Sequence, residues 1–137
     1  MASRPRSVKS YVADTHALFW YLTASPRLGT AAKKAFDESA RGEARVLIPV
    51  IVLAELHFLN EKASKPLAFA DEFERLRQAG QFTLLPFEPE HVADFDRDVS
   101  IPEMHDRIIV GAARRAGATL LTRDAAVTAS AAVPVAW

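Results

Sequence analysis

Short apolar blocks alternate with longer stretches of helical spacing along the 137-residue chain. That alternation predicts an α/β domain with a mostly parallel sheet covered on both faces. Glycines punctuate the pattern in the same sense, with Gly42, Gly80 and Gly117 each closing a helical stretch shortly before an apolar block. The length allows one domain with a real core.

The elements follow in order. Residues 8–13 read as a strand that stops at Asp14, and 15–23 as a helix with Ala17, Leu18, Trp20, Tyr21 and Leu22 on a broad apolar face, ended by Ser25-Pro26. A second helix is expected over 30–40, with Thr30 as its N-cap. Residues 45–48 form a second strand, and Pro49 opens a third helix over 49–62. Residues 66–78 are a fourth helix, 82–86 a strand (Phe-Thr-Leu-Leu-Pro) and 88–99 a short helix. Ile108, Ile109, Ala112 and Ala113 recur at helical spacing within 104–116. A buried strand over 119–122, a short helix over 124–130 and a last strand over 133–137 complete the chain. No repeat, low-complexity tract or long linker interrupts this series, so a single domain over 8–137 is expected, preceded by a flexible arm over 1–7.

Composition excludes several classes. Half of the residues are hydrophobic and 25% charged, as in ordinary soluble domains. No apolar run is long enough to cross a membrane. Arg4, Arg6 and Lys9 are not followed by an apolar signal core before Asp14, so no secretory signal is expected. The absence of cysteine removes disulfides, thiolate ligands and cysteine nucleophiles, and is compatible with a cytoplasmic location. A formal net charge of zero argues against strong non-specific nucleic-acid binding driven by counterion release. A basic rim of Arg4, Arg6, Lys9, Arg107, Arg114, Arg115 and Arg123 could still be balanced in the sum by an acidic cluster.

Four acids stand where a charge is costly. Asp14 ends Tyr11-Val12-Ala13, and Glu55 interrupts an apolar run from Ile48 to Leu56. Asp106 opens Ile108-Ile109-Val110, and Asp124 follows Leu120-Leu121-Thr122-Arg123. In parallel α/β sheets, sites form beyond the carboxyl ends of the strands. Asp14 and Asp124 follow predicted strands, while Glu55 and Asp106 lie in the N-terminal halves of predicted helices, so one sheet edge can collect all four. Ionised carboxylates cannot crowd together without cations between them, and oxygen-only ligand sets suit Mg²⁺ or Mn²⁺. A metal-dependent phosphodiesterase is the natural reading. The plainer alternatives are a helix cap for Asp14, a solvent-facing mid-helix glutamate for Glu55, and helix-dipole charges for Asp106 and Asp124.

At these residues the chain resembles the PIN-domain ribonucleases, and within them the VapC-type toxins of toxin–antitoxin pairs. The matching segments are Val12-Ala13-Asp14-Thr15-His16-Ala17-Leu18-Phe19-Trp20, Ala54-Glu55-Leu56, His105-Asp106-Arg107-Ile108-Ile109-Val110-Gly111-Ala112-Ala113 and Leu120-Leu121-Thr122-Arg123-Asp124. The ending Val133-Pro134-Val135-Ala136-Trp137 also looks like the family's last strand. The resemblance implies a PIN-like three-layer α/β/α fold with a central, mostly parallel sheet. It implies hydrolysis of RNA phosphodiesters with one or two Mg²⁺ or Mn²⁺ ions, leaving a 5′-phosphate and a 3′-hydroxyl. Asp14, Asp106 and Asp124 would be metal ligands, and Glu55 a ligand or the holder of a water. It further implies structured RNA such as tRNA or rRNA as substrate, and a small antitoxin whose helical tail lies in a groove of the helices over 49–62 and 66–78. The same region would contribute to a homodimer surface.

Neighbours of the acids carry open alternatives. Thr15 and Thr122 could orient carboxylates or waters, or be ordinary strand-end and cap threonines. Arg107 and Arg123 could each grip a substrate phosphate or pair with the acids. His16 and His105 lie close to acids in sequence and could touch substrate or tune a water. The four histidines, with His57 and His91, do not form a ligand pattern. Trp20, Tyr21, Phe36, Phe58, Phe69 and Phe73 fall on helix faces and are expected in core or interface. Two readings compete with a toxin: an RNA maturation or decay nuclease of the same fold without an antitoxin, and a PIN-like module that binds RNA or protein without cutting.

Overall fold

The strand Lys9–Ala13 (β1) lies at the centre of a five-stranded, all-parallel sheet in a computed structural model that describes residues 8–137. The expected arm over 1–7, with Arg4 and Arg6, lies outside the described residues. Ala44–Pro49 (β2) and Thr119–Leu121 (β4) flank β1, Phe82–Leu85 (β3) pairs with β2, and Val135–Ala136 (β5) pairs with β4. The chain therefore walks outward from β1 through β2 to β3, then returns to build β4 and β5 on the other side. Right-handed crossovers in opposite directions place helices on both faces, which gives the three-layer α/β/α architecture. The reversal falls between β1 and β4. There the Asp14 amide donates to the Leu121 carbonyl at 3.2 Å, which ties the two strand ends together.

Seven helices connect the described strands: Thr15–Leu22 (α1), Thr30–Ala40 (α2), Val50–Lys62 (α3), Phe69–Gln78 (α4), Pro89–Ala93 (α5), Met104–Ala116 (α6) and Ala125–Ser130 (α7). Parallel strands buried on both faces need continuous apolar runs. β1 and β2 provide them, with Val12, Ala13, Val46 and Ile48 fully buried. α1 packs on α3 and α3 on α6, around Leu18, Leu56 and Val110, none of which reaches solvent. Among the described residues no helix is long and apolar enough to cross a membrane.

The boundaries differ from the sequence reading where tertiary contacts intervene. Gly29, not Thr30, caps α2. A Cβ at Gly29 would collide with Trp137, so glycine is required where the last strand meets this helix. α4 begins at Phe69 rather than 66. The buried side chain of Asn60 holds both backbone groups of Leu67, donating to its carbonyl at 2.9 Å and accepting from its amide at 3.0 Å. Ser64 and Lys65 turn the chain into that grip at φ of 66° and 57°. The helix expected over 88–99 is α5 followed by a 3-10 turn, Asp94–Asp98, whose two ends are pulled toward α6 by ion pairs with Arg115 and Arg114. The last strand is shorter than 133–137, because Trp137 leaves the ladder to pack on Trp20.

Replacing Asn60 by Ala leaves the Leu67 amide and carbonyl buried without partners. The expected cost is about 1–3 kcal/mol of stability, read as a lower urea midpoint at unchanged slope. A midpoint equal to that of the parent protein would show that this grip does not hold the α3–α4 connection.

Candidate active site

Two of the four acids are fixed by helix capping. Asp14 ends β1 in extended conformation and its Oδ1 accepts the Ala17 amide at 2.8 Å, capping α1. Asp124 repeats the device after β4, its Oδ1 accepting the Val127 amide at 2.9 Å to cap α7. Capping and site membership are thus not alternatives, since one carboxylate oxygen does the first while the residue still lines the cavity. Thr122 is buried, and its hydroxyl accepts the Asp124 amide at 3.1 Å.

Glu55 is not a solvent-facing glutamate. From the second turn of α3 its Oε1 accepts the Thr15 hydroxyl at 2.8 Å, and its Oε2 lies 3.1 Å from Nδ1 of His105. Both oxygens are held, by α1 on one side and α6 on the other. Asp106 stands in the first turn of α6, where the helix dipole favours an anion. The N-cap of that helix is Glu103. All four acids, with Thr15, His16, His105, Lys62 and Arg123, line one cavity of about 740 Å³ that Ile51, Ala54, Phe58, Leu59 and Ile109 complete on its apolar side.

The crowding has an electrostatic consequence. Burial and then the negative charges of Asp124, Glu55, Glu103 and Asp14 push the Asp106 carboxyl up from its ordinary 3.8 to about 6. Burial also raises Asp14, and Asp124 adds to this, while the Thr122 hydroxyl, the Ala17 amide and His16 partly offset it. Among the described residues no three His, Asp or Glu side chains stand close enough to grip a single ion directly. The acids sense one another without touching. The four carboxylates are oxygen donors, the kind that Mg²⁺ and Mn²⁺ take.

Among the described residues the basic rim is smaller than expected. Arg114 and Arg115 sit at the far end of α6, bound to Asp98 and Asp94, and Lys9 pairs with Glu38. Arg107 turns away from the acids and donates to the carbonyls of Ile101 and Phe95, at 2.6 and 3.3 Å. Arg123 remains at the cavity, stacked over Trp20 with its guanidinium carbon 4.5 Å from the ring centroid. The Glu55–His105 contact and the Trp20–Arg123 stack were not legible as pairs. His105 beside Asp106 was the one available signal for the first, and nothing in the spacing announced the second. His57 and His91 serve locally, His57 against Glu61 and His91 in the cap of α5.

The sequence matches the PIN domain family over residues 11–132. The chain belongs to that family. No curated protein matches it significantly. Solved structures resemble this PIN domain along nearly its whole length. VapBC2 from Rickettsia felis, bound to a DNA fragment from its promoter, is 16% identical with a TM-score of 0.69, over 93% of this chain and 97% of its own. FitAcB from Neisseria gonorrhoeae is 22% identical with a TM-score of 0.63, over 91% and 95%. VapC20 from Mycobacterium tuberculosis, a toxin that cleaves the sarcin–ricin loop, is 14% identical with a TM-score of 0.67, over 88% and 95%. At these identities the likeness speaks for the fold.

A carboxyl held at about 6 binds its proton more tightly in the folded than in the unfolded chain. Its contribution to stability is therefore full at low pH and is lost as pH rises from the ordinary value of 3.8 through about 6. In chelator, Asp106→Asn is expected to melt higher than the parent protein at neutral pH, with the gap closing in acid. A variant that melts lower at neutral pH would contradict the crowding.

Proposed function

We propose that this PIN domain is a metal-dependent endoribonuclease toxin of the VapC-like kind, silenced by a cognate antitoxin. The observation that carries the reading is the convergence of Asp14, Glu55, Asp106 and Asp124 on one cavity at the sheet's reversal point. The solved structures of similar fold include a toxin that cleaves the sarcin–ricin loop and a toxin–antitoxin complex from Klebsiella pneumoniae, and these support the assignment to a toxin–antitoxin pair. Structured RNA, such as tRNA or rRNA, is the proposed substrate.

Asp14, Asp106, Asp124 and Glu55 would hold one or two Mg²⁺ or Mn²⁺ ions, which when bound polarise the scissile phosphate and make water acidic enough to attack at neutral pH. The chain's own residues provide the rest. The caps of α1 and α7 fix Asp14 and Asp124, and Thr15 and His105 fix both oxygens of Glu55, so the acids meet the substrate already oriented. Lys62 and Arg123 bring positive charge to the same cavity for the RNA backbone, and His16 lines it beside them. The antitoxin's helix would lie along α3 where Phe58 is 65% exposed beside Ile51 and Leu59. The toxin would act in the cytoplasm as a homodimer.

Purified, partner-free protein is expected to cut structured RNA with Mg²⁺ or Mn²⁺ and to stop in chelator. Asp14→Asn should slow cutting on the order of a hundredfold or more, as loss of one preorganised electrostatic group at a transition state does. Undiminished cutting by that variant would sink the assignment.

A further inference from the structure

Arg123 lines the cavity, and among the described residues its guanidinium makes no hydrogen bond or ion pair. Arg107 gives its donors to backbone carbonyls, and Arg114 and Arg115 give theirs to Asp98 and Asp94. Arg123 instead lies 4.5 Å from the centroid of the Trp20 ring and 5.9 Å from that of Trp137. These are the chain's two tryptophans, and they meet edge-on at 5.7 Å.

The aromatic pair is packed in place on several sides. Trp20 is only 6% exposed. The Trp137 carbonyl accepts the Ala31 amide at 3.3 Å. Gly29 admits the indole where any side chain would strike its Cδ1 at 2.5 Å. A guanidinium stacked on a ring interacts through its face and keeps its in-plane N–H donors for something else. Arg123 lines the same cavity as the four acids, so those donors are within reach of a ligand there. Phosphate is the ligand whose geometry matches such a fork. It is also the group that an acid-lined cavity would repel without a fixed cation beside it.

We propose that Trp20 and Trp137 hold Arg123 as the contact for a backbone phosphate of the RNA, with Trp137 acting as a positioning residue from outside the cavity. The proposal rests on the ribonuclease reading and deepens it, because it assigns to Arg123 a recognition step that is independent of base sequence. A mixed-sequence RNA is therefore a sufficient probe.

The test is binding of a short, fluorescein-labelled, single-stranded RNA of mixed sequence to the intact protein in chelator, followed by anisotropy at several salt concentrations. Arg123→Ala is expected to weaken binding about tenfold and to lower the salt slope by about 0.7. Trp137→Leu should weaken it about three- to fivefold when Arg123 is present and add nothing in the Arg123→Ala background, while Trp137→Phe restores part of the loss. A merely structural tryptophan would cost the same in both backgrounds. The parent's tryptophan emission should also change on RNA binding, since both tryptophans belong to this cluster. An Arg123→Ala protein that binds like the parent with an unchanged slope overturns the proposal. So does an equal Trp137→Leu loss in both backgrounds, or a parent that binds no RNA. Cutting by Asp14→Asn is scored separately: its loss alongside unaltered RNA binding by Arg123→Ala would keep the ribonuclease and discard the clamp.

Discussion

Like charges gathered at one sheet edge are the constraint on which this molecule turns. The all-parallel sheet reverses direction between β1 and β4, so the loops leaving those strands diverge and open a cavity between them. Asp14 and Asp124 occupy its two banks, and α3 and α6 deliver Glu55 and Asp106 from the sides. Folding buries these acids and brings them together, and Asp106 records both, burial first and the neighbouring negative charges second, in a carboxyl displaced to about 6.

The supports of the site are made from ordinary secondary structure. Asp14 and Asp124 each stabilise a helix they begin while still facing the cavity. Glu55 is braced by a threonine from α1 and a histidine from α6. These braces tie together the same helices that the buried core packs against one another. Removing Thr15 or His105 as a brace therefore also loosens the contact of α1 or α6 with α3.

Much of this was legible in the sequence because local physics governs it. α6 begins and ends where its apolar spacing and Gly117 put it, with that glycine at a φ of 61°. The acids stood out as charges at the edges of apolar runs. What the sequence hid depends on distant partners. Asn60 gripping Leu67 delayed the start of α4, and Trp137 displaced the cap of α2 to Gly29 and shortened β5. Among the described residues, Arg107, Arg114 and Arg115 found partners that no spacing rule predicts, while Arg123 stayed at the cavity on Trp20 and Trp137.

Calorimetric titration of Mn²⁺ into metal-free protein near pH 6, in buffers of different ionisation enthalpy, addresses the central claim most directly. An ion held by the crowded acids must displace the proton that about half of the Asp106 carboxyls carry at this pH. Binding should therefore release a proton into the buffer, and Asp106→Asn should bind more weakly and release less. Absence of binding, or binding with the same proton release in parent and variant, would contradict the account.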